Sequence, residues 1–152
     1  NSNEFLLNSM LQNRFKKILV PLDGSLNSIR GLNEAISLAR QSDAVITGIY
    51  VMSRYSPKVS QILKSYRSEL IKHAKKIMSQ AKTSAARHGI TFYDRSITSR
   101  DVVKTIVGYA KSDRYDIIIM GSQGDGSARK EYFGSVAPGL HPDSKQPVLI
   151  VK

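Results

Sequence analysis

Apolar residues follow two patterns along this chain: short continuous runs, and longer stretches in which they recur every three or four positions. Continuous runs are typical of strands buried on both faces, whereas the wider spacing is typical of amphipathic helices. Strands are therefore predicted at 17–22, 44–51, 90–97, 115–120 and 147–151, the third of them partly exposed. Helices are predicted at about 29–39, 59–87 and 102–110, and a loop over 52–57.

The predicted helices have recognisable start and stop residues. Ser25 or Asn27 is positioned to cap the first helix. Ser99 or Asp101 is positioned to cap the last one, because short polar side chains accept hydrogen bonds from the unpaired N–H groups at a helix start. Gly89 follows the long helical stretch and can adopt the left-handed conformation that ends a helix.

Strands that alternate with helices predict an α/β fold: a five-stranded, doubly wound, Rossmann-like parallel sheet with helices on both faces. The expected strand order is 3-2-1-4-5. Ligands of such sheets bind outside the carboxyl ends of the strands, where the strand order reverses. The first and fourth strands flank that crevice, and they are followed by Asp23 and Gly121. Two separate parts of the sequence thus predict one site.

The length of 152 residues, with 41% hydrophobic and 23% charged residues, fits one globular domain. We assign residues 15–152 to that domain and residues 1–14 to an N-terminal extension, either disordered or packed on a partner. No apolar run is long enough for a membrane span, and the N-terminus lacks the pattern of a signal peptide, so a cytoplasmic location is expected. The absence of cysteine excludes disulfides, thiolate metal sites and a cysteine nucleophile.

The formal net charge of +11 attracts anions. The basic residues are dispersed, however, and form only short clusters such as those at 16–17 and 72–76. No array of interleaved aromatic and arginine residues indicates a nucleic-acid surface. Small anions are therefore favoured as partners over nucleic acid, and a solubilising surface is the simplest role of the charge.

Closely spaced glycines follow the predicted fourth strand. Gly121 and Gly124 come directly after it, and nine residues then separate Gly124 from Gly134-Ser135. Glycine lets the backbone approach a ligand closely, and successive N–H groups form a concavity that suits phosphate oxygens. The spacing predicts a phosphate site if residues 125–133 loop out.

Five segments at these distances resemble the universal stress protein family in its ATP-binding branch: 17–25, 48–51, 116–122, 134–136 and 147–151. The resemblance covers nearly the whole chain. It implies an ATP ligand, with Mg²⁺ as a candidate companion. It also implies a regulatory stress-response role in which nucleotide occupancy alters the shape of a dimer or its contacts with another protein.

The resemblance also implies how the nucleoside is held. Asp23 would contact the nucleoside, and the backbone of Val51 would meet the edge of the adenine. Met120 would pack on the base or sugar, with Gly121 against the ribose. All of these positions lie at the predicted carboxyl edge of the sheet.

The phosphates would be held by N–H groups and by the hydroxyl of Ser135. The full set of implied binding positions is Pro21, Asp23, Val51, Met120, Gly121, Gly124, Gly134, Ser135 and Val136. Arg129 and Lys130 either screen the phosphate charge or are solvated loop residues.

Each implied residue also has a structural alternative. A strand-to-helix turn favours Asp23, and Val51 is compatible with the core. The glycines suit turns, and Gly134-Ser135 suits a helix cap. Taken together at the family's spacing, these residues favour nucleotide binding.

One segment departs from the family pattern. Relatives continue into a regular helix after Val136, whereas residues 137–143 include Pro138, Gly139 and Pro142. Proline and glycine disfavour a helix interior, so a short helical turn followed by irregular chain is predicted. Without the dipole of a full helix, the phosphate affinity is expected to be reduced.

No catalytic or metal-binding residues are predicted. The chain lacks a P-loop, a dinucleotide-binding glycine motif and a nucleophile elbow, and its three histidines have no metal-ligand spacing. Two functions stay open beside nucleotide-dependent regulation. One is a scaffold of the same fold that acts through protein contacts, and the other is a weak ATPase or an enzyme acting on a phosphorylated small molecule.

The resemblance implies a homodimer in which strand 147–151 pairs with its mate. An apolar strand with an unpaired edge favours such pairing.

Overall fold

The structure is a computed structural model that describes residues 2–6, 14–54, 57–62, 64–122 and 146–152. The strands are β1 (Lys17–Pro21), β2 (Val45–Ser53), β3 (Phe92–Ser99), β4 (Ile117–Gly121) and β5 (Val148–Val151). The helices are α1 (Leu26–Ser42), α2 (Pro57–Ile62), α3 (Lys64–Ala86) and α4 (Val102–Ser112). In the predicted N-terminal extension, residues 2–6 are helical and exposed. Residues 1 and 7–13 lie outside the described part.

The five strands form one parallel sheet in the order β3-β2-β1-β4-β5. This confirms the predicted fold class and strand order. β1 is central, and its Leu19 stands in register with Thr47 of β2 and Ile118 of β4. A strand with neighbours on both edges and helices over both faces has no polar side, which explains the continuous apolar run.

Alternate residues of the central strands enter two separate cores. Ile18 and Val20 pack with α1 and α3 on one face of the sheet. Leu19 and Ile118 pack with α4 on the other face. Successive side chains of a strand point to opposite faces, so these strands bury both sets. The predicted placement of helices on both faces is confirmed.

β2 is longer than predicted. Met52 and Ser53, assigned from the sequence to a loop, belong to the strand and stand in register with Thr98 and Ser99 of β3. The predicted loop over 52–57 is therefore wrong at its first two residues, and also at Pro57, where α2 begins. β3 continues to Ser99 and supplies hydrogen-bonding partners that the local sequence of β2 does not reveal.

The end of α3 sets the start of β3. Gly89 has a φ of 70°, as predicted for a helix terminator. The next N–H group, that of Ile90, donates to the carbonyl of Ala85 at 3.0 Å. This bond closes the turn expected after a left-handed residue. It delays β3 to Phe92, two residues later than predicted.

Both predicted helix starts are confirmed, each with one of its two candidate caps. The Ser25 hydroxyl accepts a hydrogen bond from the Ser28 N–H at 3.1 Å at the start of α1. The Asp101 carboxylate accepts one from the Lys104 N–H at 3.0 Å at the start of α4. Each cap pairs an N–H group that the helix itself leaves unpaired.

Tyr115 lies buried at the amino end of the sheet, between α4 and β4. Its ring centroid is 5.5 Å from that of Tyr109 and 4.5 Å from the ammonium of Lys17. Burial raises the pKa of Tyr115 to about 12, although a hydrogen bond with Thr47 lowers it. Tyr109 and Asp113 add to the rise.

The raised pKa of Tyr115 predicts a loss of stability in alkali. The unfolded chain loses this proton near the ordinary value of 10.0, and the folded protein loses it only near 12. The protonated Tyr115 phenol makes its full contribution to the free energy of unfolding below pH 10. That contribution declines as the pH rises through 12, by about 2 kcal/mol in total. Urea unfolding at a series of alkaline pH values would measure this decline. The decline should be smaller in Tyr115→Phe, and an equally steep one in that variant would contradict the assignment.

Candidate functional site

The carboxyl ends of β1, β2 and β4 meet at one edge of the sheet. β1 lies between the other two strands. The chain passes from β1 to β2 through α1 on one face of the sheet, and from β3 to β4 through α4 on the other face. This is the position where the strand order reverses and where ligands of doubly wound sheets bind. The fold brings five predicted site residues to this edge: Pro21, Asp23, Val51, Met120 and Gly121. The other four, Gly124, Gly134, Ser135 and Val136, lie outside the described residues.

Asp23 shapes the turn between β1 and α1. Its Oδ1 accepts a hydrogen bond from the Ser25 N–H at 2.9 Å. The Ser28 hydroxyl, in turn, donates to the Ser25 carbonyl at 2.9 Å. An aspartate that bonds the backbone two residues ahead stabilises such a turn, so the structural role foreseen for Asp23 is confirmed. The same bond holds the half-buried carboxylate at the edge of the sheet.

α3 packs directly against this turn. Gly24 has a φ of 85°, and a Cβ built on it would lie 2.7 Å from Ile77 Cδ1 and 3.1 Å from His73 Nε2. The His73 ring also stands edge-on to Tyr50, with centroids 6.5 Å apart and an interplanar angle of 82°. The long helix therefore supports the turn that carries Asp23.

Tyr50 and His73 were not identified as neighbours of the site from the sequence. Burial raises the pKa of Tyr50, and the negative charge of Asp23 and the proximity of Tyr66 raise it further. His73 lies beside both Gly24 and Tyr50, and so it connects Tyr50 to the β1–α1 turn. The only sequence signal was Gly24 itself, since a glycine in a turn can indicate a close neighbour.

The backbone of Val51 faces the gap beyond β1. The carbonyl of Ile49 accepts a hydrogen bond from the Leu22 N–H at 2.9 Å, so Ile49 turns its polar backbone groups toward β1. Alternate residues of a strand face the same neighbour, and Val51 therefore turns its N–H and C=O groups to that side. The paired register of β1 with β2 ends at Pro21 and Ile49. The Val51 groups thus lie at the edge of the crevice, where a planar ring with a donor and an acceptor can bond to them.

Met120 and Gly121 end β4 on opposite faces. The side chain of Met120 is fully buried in the core under α4. Gly121 meets α1 on the other face, where a Cβ would lie 2.1 Å from the carbonyl oxygen of Asn27. Gly31 of α1 makes a matching close approach, because its Cβ would lie 3.0 Å from the Gly121 nitrogen. Contact between the helix and the strand explains why position 121 is glycine, independently of any ligand.

The described residues offer no ready metal centre at this edge. Nowhere among them do three histidine or acidic side chains come together as a set of metal ligands. In the same part of the chain, no helix is long and apolar enough to span a membrane.

Comparison with known proteins extends this description. The universal stress protein family model matches residues 14–152. The chain belongs to the universal stress protein family. The matched range contains every residue that the sequence implied for the site.

Individual relatives are similar over nearly their whole length. The universal stress protein MJ0531 of Methanocaldococcus jannaschii is 30% identical, with 97% of this chain and 90% of that protein covered. Among solved structures, UspA from Lactobacillus plantarum has a TM-score of 0.74 at 25% identity, covering 91% of this chain and 99% of that one. A universal stress protein in complex with cAMP has a TM-score of 0.67 at 24% identity, covering 92% and 99%.

Proposed function

We propose that this universal stress protein binds ATP at the carboxyl edge of its sheet, and that occupancy regulates its contacts with a dimer mate or another protein. The observation that carries the proposal is the orientation of Val51. Its N–H and C=O groups face the crevice in which β1 has ended, and the Asp23 carboxylate is held beside the same crevice. An adenine edge has a donor next to an acceptor and suits one strand residue, while a carboxylate suits the ribose hydroxyls.

Two further observations support an adenine nucleotide. A solved universal stress protein of similar fold is described in complex with cAMP. The net charge of +11 favours an anionic ligand. The phosphate contacts proposed for Gly124, Gly134, Ser135 and Val136 rest on the sequence resemblance alone. Mg²⁺ would have to be held mainly by the phosphates and water, because it usually keeps several waters.

The test of ATP binding is thermal unfolding in the presence and absence of millimolar ATP. A ligand at 100 times its dissociation constant stabilises the folded state by about 2.7 kcal/mol. For a chain of this size, we expect a rise in Tm of roughly 5–10 °C. No rise in the parent protein would contradict the proposal and favour a scaffold that acts through protein contacts.

Two variants separate the parts of the proposed site. Gly124→Val combined with Gly134→Val should abolish the rise, because side chains would block the approach of the phosphates. Asp23→Asn keeps an oxygen for the Ser25 N–H and removes the charge, so the fold should survive while ATP affinity falls. Unchanged ATP affinity in both variants would show that the nucleotide binds elsewhere.

The proposed dimer uses β5, which lies at the end of the sheet and pairs with β4 through one edge. Leu149 of this strand is 41% exposed, as expected for an edge that a second copy could cover. Light scattering at micromolar concentration should give the mass of a dimer. Leu149→Lys should give a monomer, because a charged edge strand disfavours pairing.

The proposed compartment is the cytoplasm, which immunolabelling of the source cells would test.

A further inference from the structure

A groove separates α1 from α3 on one face of the sheet. It has a volume of about 270 Å³. Four buried apolar side chains form its floor: Leu22, Leu32, Ile77 and Ala81. Because one water molecule occupies about 30 Å³ of liquid, the groove has room for a small organic molecule. It is somewhat smaller than the pockets that hold drug-sized ligands.

The rim of this α1–α3 groove is polar and basic on the α3 side. His73, Lys76 and Gln80 recur at three- and four-residue steps, so they lie on one face of the helix. All three side chains are exposed. None of the described residues that line the groove is acidic.

Lys76 differs from a nearby lysine on the same helix. Lys72 lies 3.8 Å from Glu69, and that contact is the one ion pair found within the described residues. Lys76 has no carboxylate partner in that part of the chain. Lys76 therefore lines the groove without a carboxylate from the described residues to pair with its charge.

We infer that the α1–α3 groove binds small amphiphilic carboxylates. The apolar body of the ligand lies on the floor formed by α1 and α3, and its carboxylate pairs with Lys76. Burial of the hydrocarbon chain away from water drives the binding. The lysine then selects an anionic head over a neutral one, and the lack of acidic groups on the lining avoids repulsion. The proposed contact with Lys76 involves none of the residues proposed for the nucleotide.

The groove and the carboxyl edge share one border. Gly24 lines the groove and is adjacent in sequence to Asp23. The experiment must therefore show where the ligand binds as well as how tightly it binds. Hexanoate is a suitable probe for its size, and 1-hexanol is its neutral counterpart of almost the same shape.

The test is an NMR titration of the full chain with hexanoate. We expect saturable shifts at Ile29, Leu32 and Ile77, which line the groove. The same titration with 1-hexanol should give about three- to fivefold weaker binding, the range of one partly exposed charge pair. Equal affinity for the two probes would overturn the role of the charge. The absence of saturable shifts at the groove would overturn the site.

Lys75 provides a matched control for Lys76. Both lysines are exposed on α3, but only Lys76 lines the groove. Lys76→Glu and Lys75→Glu change the net charge by the same amount, so they alter the overall electrostatic field almost equally. We expect Lys76→Glu to weaken hexanoate binding at least tenfold and Lys75→Glu to leave it nearly unchanged. Equal weakening in the two variants would overturn the assignment of Lys76.

Discussion

Gly121→Ala is expected to lower the free energy of unfolding by about 3 kcal/mol or more, the upper end for overpacked sites. The added Cβ would lie 2.1 Å from the carbonyl oxygen of Asn27 and 2.4 Å from its carbon. Optimal contacts between non-bonded atoms are about 3.5–4.0 Å. Both Asn27 atoms belong to the backbone, so a rotamer change gives no relief. α1 has to move away from β4, and the close contact at Gly31 is then lost as well.

Thermal unfolding would measure this effect. For a chain of this size, the Tm should fall by roughly 6–12 °C. Gly108→Ala is the matched control, because Gly108 lies in α4 with nothing within 4 Å of its would-be Cβ. That change should stabilise the protein by about 0.5–1 kcal/mol, since alanine is the better helix former. A similar loss in both variants would contradict the packing argument.

The second large effect is expected at Leu19, in the centre of the sheet. Its side chain is fully buried under α4, between the strands that carry Thr47 and Ile118. Leu19→Ala removes three carbons and leaves a cavity that the flanking strands cannot close. We expect a loss of about 3–4 kcal/mol in the free energy of unfolding. Urea unfolding would show this as a lower midpoint with an unchanged slope.

Leu26→Ala removes the same atoms from a surface position. Leu26 is 74% exposed at the start of α1. Its truncation should change the free energy of unfolding by no more than about 0.5 kcal/mol. Because both substitutions remove the same atoms, the difference between their effects on the free energy of unfolding measures the effect of burial. A loss at Leu19 as small as that at Leu26 would mean that the centre of the sheet is loosely packed.

The sheet could be predicted from the sequence because its strands are local and strongly apolar. Runs such as 17–22 and 115–120 predict strands buried on both faces, and the alternation with helices then predicts parallel pairing. Strand ends were less predictable. The last residues of β2 pair with the last residues of β3, which lie far from β2 along the chain. The sequence of β2 alone therefore does not predict this pairing.

The candidate site was predictable to the same extent. Asp23, Val51 and Gly121 could be assigned to strand ends from the sequence, and the strand order brings those ends together. The direction in which Val51 turns its backbone could not be assigned, because it follows from the hydrogen bond that the Leu22 N–H donates to the Ile49 carbonyl. The support of the Asp23 turn by His73 was missed for a similar reason, since that helix is distant along the chain.

The sequence by itself determined the alternation of strands with helices, the two candidate caps for each of α1 and α4, and the family to which the chain belongs. Those features depend on residues close together along the chain, where apolar spacing and hydrogen-bonding side chains act directly. Only the tertiary structure decided the contact of Gly121 with Asn27 and the groove between α1 and α3. Both arise where separate elements pack, and the distance between two packed elements is set by all the side chains between them.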